Sequence, residues 1–371
     1  MAGGPLAGRR IVEFAGIGPA PYCGMLLADL GADVVRVEAP TSSQAKQAVP
    51  VLDTRFDVVN RGKRAVRLDL KRDSDRELAL DLLKHTDALI EGYRPGVMER
   101  LGLGPSPCRT INPRLVYGRM TGWGQHGPLA ETAAHDINYI ALSGVLHSIG
   151  HDAGPPAIPL NLIGDYAGGL MLAFGIVSAM LEATTSGQGD VIDAAMSEGS
   201  AALMAAIYGL RAAGLMPNPR GQNILDGGAH FYAVYECADG EWIAVGALER
   251  EFYAELLQRC GIEDPEFRRQ LDPTSWPALR NRLATLFKSR TRQEWQSLLE
   301  GTNSCVSPVL SIDEAPHHPH NRARAVFVSL DGVTQPSPAP RFERNPGNIR
   351  WSAPARPTEI ADILGEWSIV S

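Results

Sequence analysis

The 371-residue sequence contains only five cysteines, and none of them is paired in a C-x-x-C spacing. This pattern argues against a structural zinc site and against the disulfide framework of a small secreted protein. The residues from Met1 to Pro5 also lack a basic stretch followed by an apolar core, so we expect no signal peptide. We therefore predict reduced thiols and a cytoplasmic location. The cysteines are Cys23, Cys108, Cys237, Cys260 and Cys305.

The sequence also lacks an excess of positive charge and a very long apolar run. The formal net charge is -7, whereas proteins that bind nucleic acids usually carry a basic excess, so we predict no nucleic-acid partner. The run from Tyr166 to Leu181 is apolar except for Ser178, but it is shorter than the roughly 20 residues that a bilayer span requires. We expect this run to be a buried core helix and predict no membrane partner.

The sequence also lacks a complete dinucleotide or metal motif. Gly16-x-Gly18 follows the first predicted strand, but the third glycine of a G-x-G-x-x-G fingerprint would fall at Pro21. A tight strand-to-helix loop is the favoured interpretation, and no nicotinamide cofactor is predicted. Three histidines between positions 317 and 320 have no carboxylate partner in helical register, so we predict no metal site.

Strand-like and helix-like segments alternate through the amino-terminal third of the chain. Such alternation predicts a parallel sheet with helices on both faces, which is an α/β doubly wound domain. The predicted strands cover residues 10–14, 32–38, 65–70, 88–91 and 115–118, and the predicted helices cover residues 22–30 and 73–85.

The pattern changes from residue 191 onward. Residues 191–213 are largely apolar and predict one long helix with two buried sides. Alternating runs on either side of Asp239-Gly240 predict a β-hairpin, and three helical patterns follow it. The Pro-rich carboxy-terminal stretch suits an extended return segment with a short helix near residues 357–364. We therefore predict a large α/β domain (1–190), a helical linker (191–227), a small α+β domain (228–315) and a return segment (316–371).

Two short polar segments, 135–139 and 161–165, lie in apolar, glycine-rich sequence and contain the candidate catalytic residues. His135 comes shortly after a loop that leaves a strand at its carboxyl end, where ligands collect in open parallel sheets. Asp165 opens an apolar helix, so it is either an N-cap or an active carboxylate, and the residues favour neither interpretation. Asn161, one helical turn before Asp165, is either its hydrogen-bond partner or a turn residue. An imidazole and a carboxylate are sufficient for proton transfer.

Basic residues lie around the loops of the first sheet, where solvation at the surface is the usual role of a charge. The segment 92–96, Gly-Tyr-Arg-Pro-Gly, follows a strand and precedes a helix, which is where anionic groups are held. Tyr93 also offers an aromatic face to a purine, so a ligand with phosphates and an adenine is expected there. The basic residues are Arg61, Lys63, Arg64, Lys71, Arg94 and Arg100.

Several segments, in this order, resemble the family III CoA transferases, also called the CaiB/BaiF family, over essentially the whole chain. Within the family the chain is most similar to the α-methylacyl-CoA racemases, through the motifs that begin at His135, Asn161 and Gly246. The resemblance implies an interlocked homodimer, in which each chain threads through a ring formed by the other. The segments are LGADVVRVE (30–38), NRGKR (60–64), LDLK (68–71), GYRPGV (92–97), TGWGQ (121–125) and GD (164–165).

The resemblance also implies a reaction and the roles of the candidate residues. His135 and Asp165 would exchange the α-proton of a 2-methylacyl-CoA thioester through an enolate, a racemisation in lipid metabolism. Glu249 would orient His135, and Asn161 would support Asp165. No cofactor is implied, because CoA is part of the substrate. The residues implied to contact CoA are Ile17, Leu68, Leu70, Lys71, Gly92, Tyr93, Arg94 and Arg100.

Two other functions stay open. In the transferase branch of the family, the aspartate at the position of Asp165 is a nucleophile that forms covalent intermediates, so CoA transfer is the first alternative. A non-catalytic acyl-CoA binding protein is the second. The sequence leaves the acyl group open as well, because bile-acid intermediates, branched fatty acids and aryl-propionyl groups all suit the candidate residues.

Overall fold

The computed structural model describes residues 3–40, 54–151, 153–216 and 219–368. Contacts within the chain group the residues into two compact units. We call them the sheet unit (Met1–Ser143, Leu160–Leu203 and Arg322–Ser371) and the hairpin unit (Gly144–Pro159 and Met204–Asn321). The domain ranges taken from the sequence stay a prediction.

The strands form where β-branched and aromatic residues lie between glycine-rich or proline-rich turns. They are β1 (Arg10–Phe14), β2 (Asp33–Glu38), β3 (Arg64–Arg67), β4 (Ala88–Glu91), β5 (Val116–Thr121), β6 (Val191–Ala195), β7 (Tyr232–Glu236), β8 (Trp242–Gly246), β9 (Val306–Pro308), β10 (Phe327–Leu330) and β11 (Val333–Pro336).

Several of the helices begin directly after a glycine, a serine or a threonine, which are common at helix starts. They are α1 (Pro19–Asp29), α2 (Asp73–Lys84), α3 (Val97–Arg100), α4 (Pro105–Ile111), α5 (Asp136–Leu142), α6 (Val145–Ser148), α7 (Ala167–Ser186), α8 (Met196–Leu203), α9 (Ala205–Ala212), α10 (Arg250–Arg259), α11 (Trp276–Phe287), α12 (Arg292–Leu299), α13 (Pro319–Ala323) and α14 (Ile360–Ser368).

The sheet unit is built on a six-stranded parallel sheet with the strand order β3-β2-β1-β4-β5-β6. The order reverses at β1, which pairs with β2 on one side and with β4 on the other. In an open parallel sheet, ligands bind outside the carboxyl ends of the strands at this reversal. The predicted α/β fold with a parallel sheet is confirmed, and it places a candidate site at the ends of β1 and β4.

The sheet has a hydrophobic core on each face, because side chains alternate along every strand. Ile11 of β1 packs into the core under α1 and α7, whereas its neighbour Val12 packs into the opposite core, which also contains residues of α2 and α14. The helices α1 and α7 lie close together because Gly169 has no side chain. A Cβ at Gly169 would come within 2.5 Å of the Pro19 carbonyl oxygen.

The prediction of one long helix over residues 191–213 is wrong. Val191–Ala195 is the edge strand β6, which pairs in parallel with β5 from Tyr117 to Thr121. The helices α8 and α9 follow, with Met204 between them. A short apolar run is compatible with either a buried helix or a strand of a parallel sheet, and the free edge of β5 decides in favour of the strand.

The helix α7 is buried on one side only, which corrects the prediction of a buried core helix. Leu172 and Ile176 are fully buried, whereas Leu170, Phe174 and Leu181 are 54%, 72% and 71% exposed. Within the described residues, the stretch that includes this helix is also long and apolar enough to cross a membrane by length and composition alone. Its buried side packs against α1 and the sheet.

Arg61 and Lys63 are buried, whereas the sequence suggested that they are solvated at the surface. Arg61 forms an ion pair of 2.6 Å with Asp29, and the Lys63 ammonium donates to Glu13 at 2.7 Å. Buried charges require such partners, because desolvation of an unpaired ion costs several kcal/mol. The carboxylate partners lie more than thirty residues away in sequence, so inspection of the basic segment alone cannot reveal them.

The hairpin unit contains the antiparallel strands β7, β8 and β9. The predicted hairpin is confirmed, with Tyr232 opposite Gly246 and Glu236 opposite Trp242.

The return segment of the sheet unit holds a second antiparallel pair, β10 and β11, that the sequence analysis missed. The Gln335 side chain of β11 accepts a hydrogen bond from Arg61, which ties the return segment to the turn before β3.

Candidate active site

A pocket of about 390 Å³ opens in the sheet unit where β1, β4 and β5 end. Its walls are the loops after these strands, so it lies at the reversal of strand order. The lining residues include Ile17, Gly18, Gly92, Tyr93, Arg94, Thr121, Gly122, Trp123, Ala134, His135, Tyr139, Asp165 and Met196.

His135 and Asp165 line this same pocket, as the proposed chemistry requires. His135 immediately precedes α5 and is exposed in the single chain. Its backbone N–H donates to the Asn138 side-chain oxygen at 3.1 Å, which fixes the start of the helix. The two potential proton carriers therefore reach one cavity from two different elements.

Asp165 is not the N-cap of a helix, contrary to one of the two interpretations of the sequence. It lies within a π-helical turn, Leu162–Tyr166, that leads directly into α7. Such wide turns are rare and occur often at functional sites. The Asp165 carboxylate instead accepts a hydrogen bond from the Asn161 side-chain amide at 3.0 Å, so the expected partnership of these two residues is present.

The pKa of Asp165 is raised above its ordinary value. Burial is the main cause, the hydrogen bond from Asn161 opposes it, the nearby Asp136 carboxylate adds to it, and His135 opposes it weakly. Desolvation disfavours the charged carboxylate, so this group holds a proton more readily than a surface aspartate does. A carboxyl group of this kind can act as an acid as well as a base.

Sequence reasoning missed two residues that contact Asp165 or leave room for it. The Asp136 carboxylate accepts the Asp165 backbone N–H at 2.8 Å. Gly18 has a φ of +71°, and a Cβ there would come within 3.1 Å of the Asp165 carboxylate. The Gly16-x-Gly18 segment thus gives Asp165 room rather than forming a dinucleotide fingerprint. Only its position after β1 could have indicated this.

The loop that carries Tyr93 and Arg94 is supported from below by buried charges. Glu91, at the end of β4, accepts the Tyr93 backbone N–H at 2.8 Å and an Arg119 N–H at 3.0 Å. Arg119 also forms an ion pair of 2.8 Å with Glu99 on α3. The loop between β4 and α3 is therefore fixed at both ends, and it carries Arg94 in the wall of the pocket.

The residues expected to contact CoA divide into two groups. Ile17, Gly92, Tyr93 and Arg94 line the pocket, whereas the other expected contacts do not. Leu68 is only 3% exposed, and its side chain packs in the sheet core, so only its backbone is left to contact a ligand. The remaining residues outside the pocket lining are Leu70, Lys71 and Arg100, whose contacts with CoA stay a prediction.

Glu249 belongs to the hairpin unit, where it is the N-cap residue of α10 and is exposed. It does not line the pocket of the sheet unit. Its pairing with His135 therefore stays a prediction. In the described part of the chain, no group of three or more His, Cys, Asp or Glu side chains is placed to hold a metal ion.

Comparisons with known proteins identify the family. Residues 6–357 match the model of CoA-transferase family III. The chain is 47% identical to "Alpha-methylacyl-CoA racemase" of Mus musculus and 44% identical to that of Homo sapiens, over 92% of this chain and 87% of each relative. The crystal structure of a CaiB/BaiF family protein from Brucella suis superposes with a TM-score of 0.84 at 26% identity, covering 98% of this chain and 100% of that one.

Proposed function

The chain belongs to CoA-transferase family III, and from this premise we propose that it is an isomerase that inverts the α-carbon of 2-methylacyl-CoA thioesters. One observation carries the proposal: an imidazole, His135, and a carboxyl group, Asp165, line a single pocket. The relatives that are 44–47% identical are named alpha-methylacyl-CoA racemase, which supports the same reaction.

The reaction needs a base on one side of the α-carbon and an acid on the other. Loss of the α-proton from a thioester leaves an enolate, and return of a proton to the opposite face inverts the centre. A neutral imidazole opposite a carboxylic acid, or an imidazolium opposite a carboxylate, has the correct number of protons. The raised pKa of Asp165 makes its carboxylate a stronger base, and its acid form easier to reach, than those of a surface aspartate. General acid–base catalysis contributes about 10²–10⁴-fold.

The CoA moiety binds along the loop after β4. Arg94 is exposed and offers a positive charge for phosphate, whereas Tyr93 is half-buried against the sheet core and offers adenine only the part of its side chain that lines the pocket. CoA is the carrier of the substrate, and we propose no separate cofactor. We also propose that Glu249 orients His135, and that the enzyme works in cytoplasmic lipid metabolism.

We propose further that the protein is an interlocked homodimer. The exposed apolar side chains of α7, Leu170, Phe174 and Leu181, recur at helical spacing and form a stripe. An exposed stripe of this kind is typical of a surface that another chain covers.

The direct test follows the α-proton by NMR in deuterated water, with a panel of 2-methylacyl-CoA thioesters. The wild-type enzyme should introduce deuterium at the α-carbon of thioesters of both configurations without any acceptor acid. His135→Ala should abolish exchange of at least one hand. Full exchange of both hands by that variant would refute the assignment.

CoA transfer is the alternative, because the family takes its name from transferases. Transfer through Asp165 would form a covalent adduct that hydroxylamine or borohydride traps in the presence of acyl-CoA. A mass shift at Asp165, together with no deuterium at the α-carbon, would replace the isomerase with a transferase.

A further inference from the structure

Asp136 is a buried carboxylate beside the pocket that acid–base chemistry does not use. It is 5% exposed, and its Oδ2 accepts the Asp165 backbone N–H at 2.8 Å. Its Oδ1 is buried without a hydrogen-bond partner among the described residues. A half-satisfied buried carboxylate is costly, and a helix start needs no buried acid. The position of Asp136 therefore calls for a role beyond that of starting α5.

The contacts of Asp136 join the two proton carriers. Asp136 is the first residue of α5 and follows His135 directly in the chain. Its side chain holds the backbone of Asp165, in the π-helical turn before α7. One side chain thus couples the helix start that carries His135 to the turn that carries Asp165.

Gly164 shows how closely the two elements approach. A Cβ at Gly164 would lie 2.5 Å from the Asp136 carboxylate oxygen and 2.8 Å from its carboxyl carbon. Real Cβ atoms essentially never come so close, so any larger residue would displace the carboxylate. Gly164 is part of the approach that brings the two elements together.

We infer that Asp136 is a positioning residue that sets the gap between His135 and Asp165 by holding the Asp165 backbone. This inference rests on the proposed function, because the gap matters only if both groups act on one carbon. Misplacement of a reacting group by about 1 Å can cost about 10²-fold in rate.

The first experiment compares Asp136→Asn with Asp136→Ala. The amide oxygen of asparagine can still accept the Asp165 N–H, whereas alanine cannot. We expect Asp136→Ala to lower kcat by about 10²-fold with KM for the acyl-CoA changed by less than about threefold, because Arg94 and Tyr93 are untouched. Asp136→Asn should retain most of kcat. Equal loss in both variants, or an unchanged kcat in Asp136→Ala, would overturn the inference.

The matched control is Ser143→Ala. Ser143 is a buried residue at the other end of α5, and its hydroxyl donates to the Ile140 carbonyl at 3.1 Å. This variant loses a buried hydrogen bond on the same helix without touching the pocket. It should keep its kcat. A loss of kcat like that of Asp136→Ala would show that any damage to α5 is sufficient, which would overturn a specific role for Asp136.

A double-mutant cycle with Gly164→Ala adds an independent readout. The added methyl group should displace the Asp136 carboxylate and lower kcat in the wild-type background. The same change should lower kcat by a several-fold smaller factor in the Asp136→Ala background, because the carboxylate is absent there. Additive losses would contradict the inference.

Amide hydrogen exchange at Asp165 separates this inference from the proposed function. Protection of the Asp165 N–H should fall in Asp136→Ala and persist in Asp136→Asn. If the wild-type chain exchanges no α-proton, the proposed function fails, whereas amide exchange still decides whether Asp136 holds Asp165. Unchanged protection in Asp136→Ala would overturn the positioning role whatever the activity.

Discussion

Replacement of Arg119 by methionine would show how far the buried charges beneath the Tyr93 loop support the pocket. The Arg119 guanidinium binds Glu91 at 3.0 Å and Glu99 at 2.8 Å. Glu91 is 1% exposed, and its other carboxylate oxygen accepts the Tyr93 N–H. Methionine retains apolar bulk but removes the charge, so Glu91 would remain buried with only a backbone N–H as its partner.

The expected loss of stability is large. Removal of one partner from a buried ion pair costs about 3–5 kcal/mol, because the remaining charge is uncompensated. Glu99 is about half exposed, so the loss of its ion pair with Arg119 should contribute little to this cost. Since a domain is stable by about 5–15 kcal/mol, this single change should remove a substantial part of the free energy of unfolding.

The loss should depend on pH with a definite sign. Burial raises the pKa of Glu91 even though Tyr93 and Arg119 oppose the shift. Without Arg119 the pKa rises further. Because the folded-state pKa lies above the unfolded value, the fold prefers the protonated carboxyl, and stability falls as pH rises through the folded pKa. The variant should therefore be least stable at neutral pH and recover in mild acid.

The assay is urea unfolding followed by tryptophan fluorescence, at neutral pH and in mild acid. Arg9→Met is the matched control, because the Arg9–Asp87 pair has side chains that are 40% and 30% exposed and should contribute less than about 1 kcal/mol. The double variant with Glu91→Gln and Arg119→Met should recover part of the loss. If Arg119→Met loses no more than the control at neutral pH, the Glu91–Arg119 pair does not support the loop as argued.

Three further predictions concern the site and the assembly. Arg94→Ala should raise KM for acyl-CoA roughly 10- to 100-fold with little change in kcat, because a charged hydrogen bond contributes about 1.5–3 kcal/mol; an unchanged KM in steady-state exchange assays would exclude Arg94 as a phosphate contact. Gly18→Ala should lower kcat at least tenfold, since the left-handed backbone and the 3.1 Å approach to Asp165 both disfavour a side chain; full activity would contradict the role of this loop. Phe174→Asp should prevent dimer assembly during folding, so that the variant sediments as a monomer in analytical ultracentrifugation, and a wild-type monomer would count against the apolar stripe as an interface.

The sequence determined the class of fold and the two chemical groups. Alternating strands and helices predict a parallel sheet because only a crossover helix connects parallel neighbours at such short spacing. The loop after β5 places His135 near the carboxyl edge, and the glycines around Asp165 indicate a close approach. These are local patterns, and local patterns can be read along one chain.

Tertiary structure alone decided how those groups meet. The edge of β5 made residues 191–195 a strand, and the distant carboxylates of Glu13 and Asp29 allowed Lys63 and Arg61 to be buried. The bond from the Asp165 backbone to Asp136 spans 29 residues of sequence. Such contacts depend on which surfaces packing brings together, and desolvation of the groups follows from that packing. The raised pKa of Asp165 is a property of the folded chain, because burial is its main cause.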